Sequence, residues 1–243
     1  MDERPFFSPD VEYEESGIRS DWRSATEILA EGGGRLLDVG CGGKASKSEL
    51  EKKGYAWFGA DRFPANGTTV VCDAHRLPFK NCSFEVVFTS LALQYFEEPS
   101  EALAEMHRVL KKGGKIAGSA SSCEPFHGTC YSYTHWGIEH LLKQNGFSGI
   151  GVFPGASLFL VKNYYLFRIF RIERLAPLCT FFTTGAFFLF QRAVFGMLHL
   201  LRGLFIRAAR GRAESERYGK LLKEYRKSLP YKFSGHLLFR AEK

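Results

Sequence analysis

What this sequence lacks narrows its class before any motif is read. Its six cysteines (41, 72, 82, 123, 130 and 179) form no CxxC pair and keep no regular spacing, which argues against a disulfide scaffold and for reduced thiols. The segment "CEPFHGTC", with His127 between Cys123 and Cys130 and His135 nearby, does not follow zinc-ligand spacing, so no metal is expected. The stretch "LCTFFTTGAFFLFQ" at 178–191 runs 14 positions before Arg192 interrupts it. A bilayer-spanning helix needs roughly 20 apolar residues, so none is expected here. The opening "MDERPFFSPDVEYEE" is acidic and has no apolar core, which is not the pattern of a secretory leader. No internal repeat or low-complexity linker breaks the chain.

What is there suits a single globular domain with an elaboration: 243 residues, 45% of them apolar, with 23 Phe. The net charge of +7 hides an asymmetry. Residues 1–159 carry 16 Lys/Arg against 21 Asp/Glu, whereas residues 160–243 carry 17 against 5. A basic, Phe- and Leu-rich half beside an acidic one points to a partner surface of negative charge, either a membrane or a nucleic acid.

From residue 35 to about 153, strand and helix patterns alternate. "RLLDVG", "YAWFGAD", "TTVVCDA", "FEVVFTSLAL", "KIAGSAS" and "SGIGVF" read as strands, and "SKSELEKKG" as a helix stopped by Gly54. "PSEALAEMHRVLKKGG" is a helix with Pro99 and Ser100 at its start. Ala102, Leu103, Met106, Val109 and Leu110 form its buried stripe, and Lys111, Lys112 and Gly113 are expected to close it. "THWGIEHLLKQNGF" is a second clear helix, with Thr134 as N-cap and Gly146 past its end. Such alternation predicts an α/β fold: a mostly parallel sheet with helices on both faces and ligands beyond the carboxyl ends of its strands. The predicted organisation is an N-terminal cap segment (1–33), a ligand-binding core (34–155), a Phe/Arg-rich helical insertion (156–232) and a last strand returning to the sheet (233–243).

The motif with most chemical content is "GRLLDVGCGGKASKSEL", residues 34–50. A strand ending in Asp38, followed by Gly40, Gly42 and Gly43 and then a helix, lets backbone N–H groups approach a ligand closely. Asp61 ends the second strand, 23 positions after Asp38, where a carboxylate can accept from both hydroxyls of a ribose. Asp73 follows the third strand and could accept from an adenine amino group. Each Asp alone is as readily a helix cap or a surface ion pair; three at successive strand ends point to a nucleoside ligand.

These motifs, "LLDVGCGG", "GAD", "CDAHRLPFKNCSFEVVFTSLAL" and "ALAEMHRVLKKGGKIAGSAS", resemble those of class I S-adenosylmethionine-dependent methyltransferases over roughly residues 33–153. The resemblance implies a Rossmann-like, seven-stranded, mostly parallel sheet and S-adenosylmethionine as cofactor. It implies Asp38, Gly40, Cys41, Gly42 and Gly43 near the methionine part, Asp61 on the ribose with Arg62 beside it, and Asp73 with Ala74 near the adenine. Thr89, Ser90 and Leu91 are expected to line the pocket. The chain departs from the pattern at Lys44, where a third loop glycine is common. Lys44 either points to solvent or, with Lys47, attracts the cofactor's carboxylate.

Methyl transfer needs in-line approach and exclusion of water, and a general base only if the acceptor must lose a proton. Relatives with a Glu-His pair after the fourth strand differ from this chain, which has Gln94 and Tyr95. That variant resembles members acting on small carboxylic acids or carrier-bound acyl groups. The candidate catalytic residues are His127 and then Tyr131, in the segment "SCEPFHGTCYSYTHWG" that also holds Tyr133 and His135. On an ideal helix Gln191, Arg192, His199, Arg202 and Arg210 share one side, leaving a broad apolar face. Residues 160–212 thus read as a lid, a homodimer face or an interfacial element on anionic lipid. No nucleic-acid-binding module is recognisable. The expected function is methyl transfer to a small or lipophilic metabolite, in the cytoplasm or at the inner face of a membrane. The rivals are a soluble methyltransferase of small acids or carrier-bound acyl groups, and a non-catalytic cofactor-binding or membrane-associated scaffold.

Overall fold

Short β-branched and aromatic runs, broken by glycines, build the sheet that positions the site. The computed structural model describes residues 12–13, 24–43, 46–65, 67–123, 128–169 and 234–243, with scattered positions from 175 to 231. Strands β1 (Glu12–Tyr13), β2 (Arg35–Val39), β3 (Ala56–Asp61), β4 (Val70–Val71), β5 (Phe84–Ser90), β6 (Leu110–Ser121), β7 (Ser148–Pro154) and β8 (His236–Glu242) lie in the order β1-β7-β8-β6-β5-β2-β3-β4. Only β8 runs antiparallel, to both β6 and β7. The seven expected strands are all present. The two-residue β1 adds an eighth at the edge beside β7, and Arg240 of β8 holds it through a 2.6 Å contact to Glu12.

The helices are α1 (Lys47–Lys52), α2 (Pro99–Val109), α3 (His135–Gln144) and α4 (Leu158–Ile169). Adjacent residues of a strand face opposite ways, and Leu36 and Leu37 show the consequence. Both are fully buried, yet Leu37 joins the core formed with Leu103 and Met106 of α2 and Ile138 and Leu142 of α3, whereas Leu36 packs with Ala25, Ile28 and Leu29 of a 3-10 turn and Leu50 of α1. Residues 25–29 therefore pack against one face of the sheet.

Helix α2 starts with Pro99 in its first turn and buries Ala102, Leu103, Met106 and Val109. It ends at Val109, because Leu110 is already extended (ψ 139) and opens β6. Lys111, Lys112 and Gly113 thus belong to the strand and do not close the helix as expected. Lys243 closes it from elsewhere, its ammonium donating to the carbonyls of His107 (2.6 Å) and Leu110 (2.8 Å), as a cation at a helix C-terminus should. At α3 the expected cap is present: Thr134 Oγ1 accepts from Gly137 N at 3.1 Å.

Strand order reverses between β2 and β5, with β3 and β4 continuing to one side and β6, β8 and β7 to the other. The loops after β2 and β5 diverge there and leave a crevice, the place where open α/β sheets hold ligands. Most of the proposed insertion at 156–232 lies outside the described residues beyond α4. Among those described, no helix is long and apolar enough to cross a membrane.

Candidate functional site

The crevice is built by four strand ends. After β2 the chain turns at Gly40, whose φ of +74 is open to few residues other than glycine. A Cβ there would sit 2.3 Å from the Cβ of Ala92, so this glycine also lets the loop pack directly on the turn after β5. Ala60 O accepts from both Gly40 N (2.8 Å) and Cys41 N (3.2 Å), which ties the same loop to the end of β3.

Asp61 ends β3. Its Oδ2 accepts from Gly42 N at 2.8 Å and its Oδ1 from Phe63 N at 3.0 Å. Each oxygen keeps acceptor capacity, since an ionised carboxylate offers about four lone-pair positions. Asp73 follows β4, and its Oδ1 accepts from His75 N (2.9 Å) and pairs with His75 Nδ1 (2.5 Å). The backbone and ring contacts from His75 hold the Asp73 carboxyl below the usual carboxylate range. His75 Nε2 in turn accepts from Glu98 N at 3.3 Å, which puts the ring proton on Nδ1, and the ring meets Phe96 edge-on at 5.8 Å. The segment after β4 is thereby fastened to the turn after β5.

Between these groups lies a cavity of about 430 Å³, walled by Gly40, Asp61, Arg62, Asp73, Ala74 and Leu77 on one side and Ala92, Tyr95, Phe96 and Glu97 on the other. Small-molecule sites commonly measure some 300–1,000 Å³ and combine apolar walls with a few polar groups. Two carboxylates with spare lone pairs, apolar and aromatic walls and a loop of small residues fit an adenosyl group.

The other expected residues are placed less directly. Asp38 is buried, and Trp57 Nε1 donates to its Oδ2 at 3.0 Å. Burial pushes the Asp38 carboxyl up to about 7, against the lowering effect of the Trp57 bond and with a smaller push from Asp61. Burial, then the charges of Asp38 and Asp61, lift the Cys41 thiol to about 11. Gly42 and Gly43 are exposed, with open space where a Cβ would stand.

Thr89 is fully buried, and its hydroxyl has no hydrogen-bond partner among the described residues. Ser90 Oγ pairs with Ser119 Oγ at 3.0 Å, and Leu91 holds a left-handed backbone with φ +51. None of these three is among the residues lining the cavity. Asp38, Cys41, Gly42 and Gly43 are likewise not among its lining residues, and past the Leu91 turn Ala92, Tyr95 and Phe96 line it.

Lys44 and His127 lie outside the described residues. Lys47 sits 5.1 Å over the Trp57 ring and 3.7 Å from Glu51. Tyr131 is at the rim, its hydroxyl donating to the carbonyl of the cavity-lining Glu97 at 2.9 Å. Tyr133 is turned inward, donating to Leu93 O at 3.2 Å, and burial raises its phenol further. Sequence reasoning did not single out His75, Phe63 or Phe96. For His75 a signal existed in the Asp-x-His spacing of "CDAHRLPF", since an Asp side chain turns back on the residue two ahead.

Residues 37–118 match the family described as a methyltransferase domain. Among curated proteins, the ubiquinone/menaquinone biosynthesis C-methyltransferase UbiE of Ralstonia pickettii is 31% identical over 119 residues, 41% of this chain and 49% of that protein. The UbiE of Burkholderia mallei is likewise 31% identical, over 120 residues, 42% of this chain and 49% of its own length. The chain thus spans about half the length of these relatives. Among solved structures, the cyclase SpnF aligns over 90% of this chain and 78% of its own at 18% identity with a TM-score of 0.50, a likeness of fold.

Proposed function

We propose that this chain, whose residues 37–118 match a methyltransferase domain, is a class I S-adenosylmethionine-dependent methyltransferase that transfers the cofactor's methyl group to a small or lipophilic acceptor. One observation carries the reading: Asp61 and Asp73, at the ends of the neighbouring strands β3 and β4, face one cavity and both retain acceptor capacity. Fold alone would not decide it, since a cyclase shares the architecture; the match of residues 37–118 to a methyltransferase domain supports it.

In this site Asp61 would hold the ribose hydroxyls, with Arg62 and Phe63 beside it, and Asp73 and Ala74 the adenine end. Asp38 and the segment Gly40–Gly43 would hold the methionine end. The bound cofactor supplies a methyl group on a sulfonium, ready for in-line displacement. The chain's own share is orientation and exclusion of water: the wall Ala92–Glu97 closes one side, and Gly40 lets it close tightly. Tyr131 and His127 are the acceptor-side candidates for moving a proton, should the acceptor carry one. Calorimetric titration with S-adenosylmethionine tests the assignment. Binding by the wild type and its loss in Asp61→Ala are expected, and equal binding by the two would end the ribose assignment.

Two observations bear on the acceptor. Of the Gln94–Tyr95 pair that favoured small acids or carrier-bound acyl groups, Gln94 is fully buried and Tyr95 lines the cavity. Leu178, Phe181, Phe182, Leu189, Leu200 and Leu201 are all 55–71% exposed, in the half of the chain with 17 basic against 5 acidic residues. Greasy side chains on a basic segment suit an anionic membrane surface, and hence a lipophilic acceptor. Precursors of ubiquinone and menaquinone, named for the relatives, are the first acceptors to assay with methyl-labelled cofactor. Flotation with anionic vesicles tests the surface; intact protein that stays at the bottom of the gradient would exclude it.

A further inference from the structure

The residue Gln94 makes more connections than its position in a short turn explains. Its side chain is fully buried three residues past the left-handed Leu91. Its Nε2 donates to Leu91 O at 2.9 Å, and its Oε1 accepts from Ser121 N, at the end of β6, at 3.4 Å. Its backbone carbonyl accepts from Cys130 N at 2.8 Å and Tyr131 N at 3.2 Å. Leu91 is held at its other end as well, its N–H shared between Ser119 O (3.0 Å) and Ser119 Oγ (3.1 Å).

A leucine with positive φ is costly and persists only where its surroundings over-determine it. Here both backbone polar groups of Leu91 are clamped, one of them by Gln94. Reversing the chain at Leu91 is what brings Ala92, Tyr95 and Phe96 to the cavity. Further contacts join the same turn to residues 130–133: Tyr131 to Glu97 O, Tyr133 to Leu93 O, and Cys130 Sγ to Tyr95 O at 3.8 Å.

We propose that Gln94 is a positioning residue: its buried carboxamide locks the Leu91 reversal onto Ser121 at the end of β6, whose carbonyl accepts from Tyr133 N at 2.9 Å, while its main-chain carbonyl holds Cys130 and Tyr131, so that the cavity wall and the acceptor-side loop move as one body. A carboxamide is suited to this because it donates with one end and accepts with the other, and the two ends meet a carbonyl and an N–H. The effect on ligand affinity rests on the cavity being the cofactor site; the clamp itself does not.

The test uses Gln94→Glu in the full chain at pH 5.5 and pH 8, each referred to the wild type at the same pH. A protonated Glu reproduces both bonds. An ionised one cannot donate to Leu91 O, and burial raises its pKa enough to protonate it at the lower pH. Amide hydrogen exchange, which needs no ligand, should show 91–97 and 128–134 deprotected together at pH 8 and restored together at pH 5.5. Affinity for S-adenosylhomocysteine should fall about tenfold at pH 8 and recover at pH 5.5, about the effect of one buried polar group left unsatisfied. Wild-type-like protection at both pH values overturns the proposal. So does loss at both in a folded variant, or deprotection of one segment without the other. If the wild type fails to bind S-adenosylhomocysteine, the cofactor reading fails while exchange still decides the clamp.

Discussion

The indole nitrogen of Trp57 donates to Asp38 Oδ2 across 3.0 Å, so the glycine-loop carboxylate is held from within the sheet by the neighbouring strand. Trp57 belongs to β3 and Asp38 to β2, with Trp57 paired in register to Leu36 two residues before Asp38. Lys47 lies over the ring of the same indole, 5.1 Å from its centroid.

This arrangement makes stability depend on pH in a stated direction. The Asp38 carboxyl rises from 3.8 to about 7 on folding, chiefly through burial. Its contribution is therefore fully present below about pH 4 and is lost as pH rises toward 7, where the folded protein gives up the proton. At about 1.4 kcal/mol per pH unit the upper bound is about 4 kcal/mol. Asp38→Asn should melt higher than the wild type at pH 8 and converge with it near pH 4, by calorimetry of the unliganded protein. A constant gap across that range would contradict the buried-acid account.

Gly40 should respond strongly to a methyl group and Gly43 hardly at all. Gly40→Ala combines a φ of +74 with a 2.3 Å approach to Ala92, and about 1–3 kcal/mol of strain is expected along with weaker cofactor binding. Gly43→Ala meets nothing within 4 Å and should change the melting temperature little. Melting curves and S-adenosylhomocysteine titration of both variants check this.

Arg108 holds the cavity's Leu77 wall from α2. Its guanidinium donates to Phe79 O (2.8 Å), Leu77 O (2.9 Å), Asn81 Oδ1 (2.8 Å) and Glu105, while Glu105 Oε2 accepts from Leu77 N at 2.9 Å. Arg108→Lys cannot reproduce a planar fork and should lower both stability and cofactor affinity, nearly as much as Arg108→Ala. Full rescue by Lys would show that charge alone suffices.

Lys47→Met decides whether this lysine serves the ligand. Its visible partners are the Trp57 ring and Glu51, together worth about 1 kcal/mol or less at an exposed site. Cofactor affinity should stay near the wild-type value; a large loss would assign Lys47 to the cofactor's carboxylate.

How much of this was legible beforehand follows from what periodicity encodes. Leu36, Leu37 and Asp38 sit in one run whose alternation fixes which side chains enter which face, so strand positions and the acids at their ends could be read directly. The Pro99 start and Thr134 cap were legible because capping chemistry is local. The end of α2 was misread, since Leu110 leaves the helix to pair with Phe84 of β5, a partner 26 positions away.

The chain's own order of residues determined the alternating strands, the glycine turn and the acids placed within β2, at the end of β3 and after β4, because each depends on neighbours a few positions apart. Only tertiary structure decided that the chain reverses at Leu91, that Ala92, Tyr95 and Phe96 line the cavity, that Trp57 reaches Asp38, and that Gln94 is buried. Those outcomes depend on hydrogen bonds and packing between segments tens of residues apart, set by strand order and register, and no local pattern carries that information.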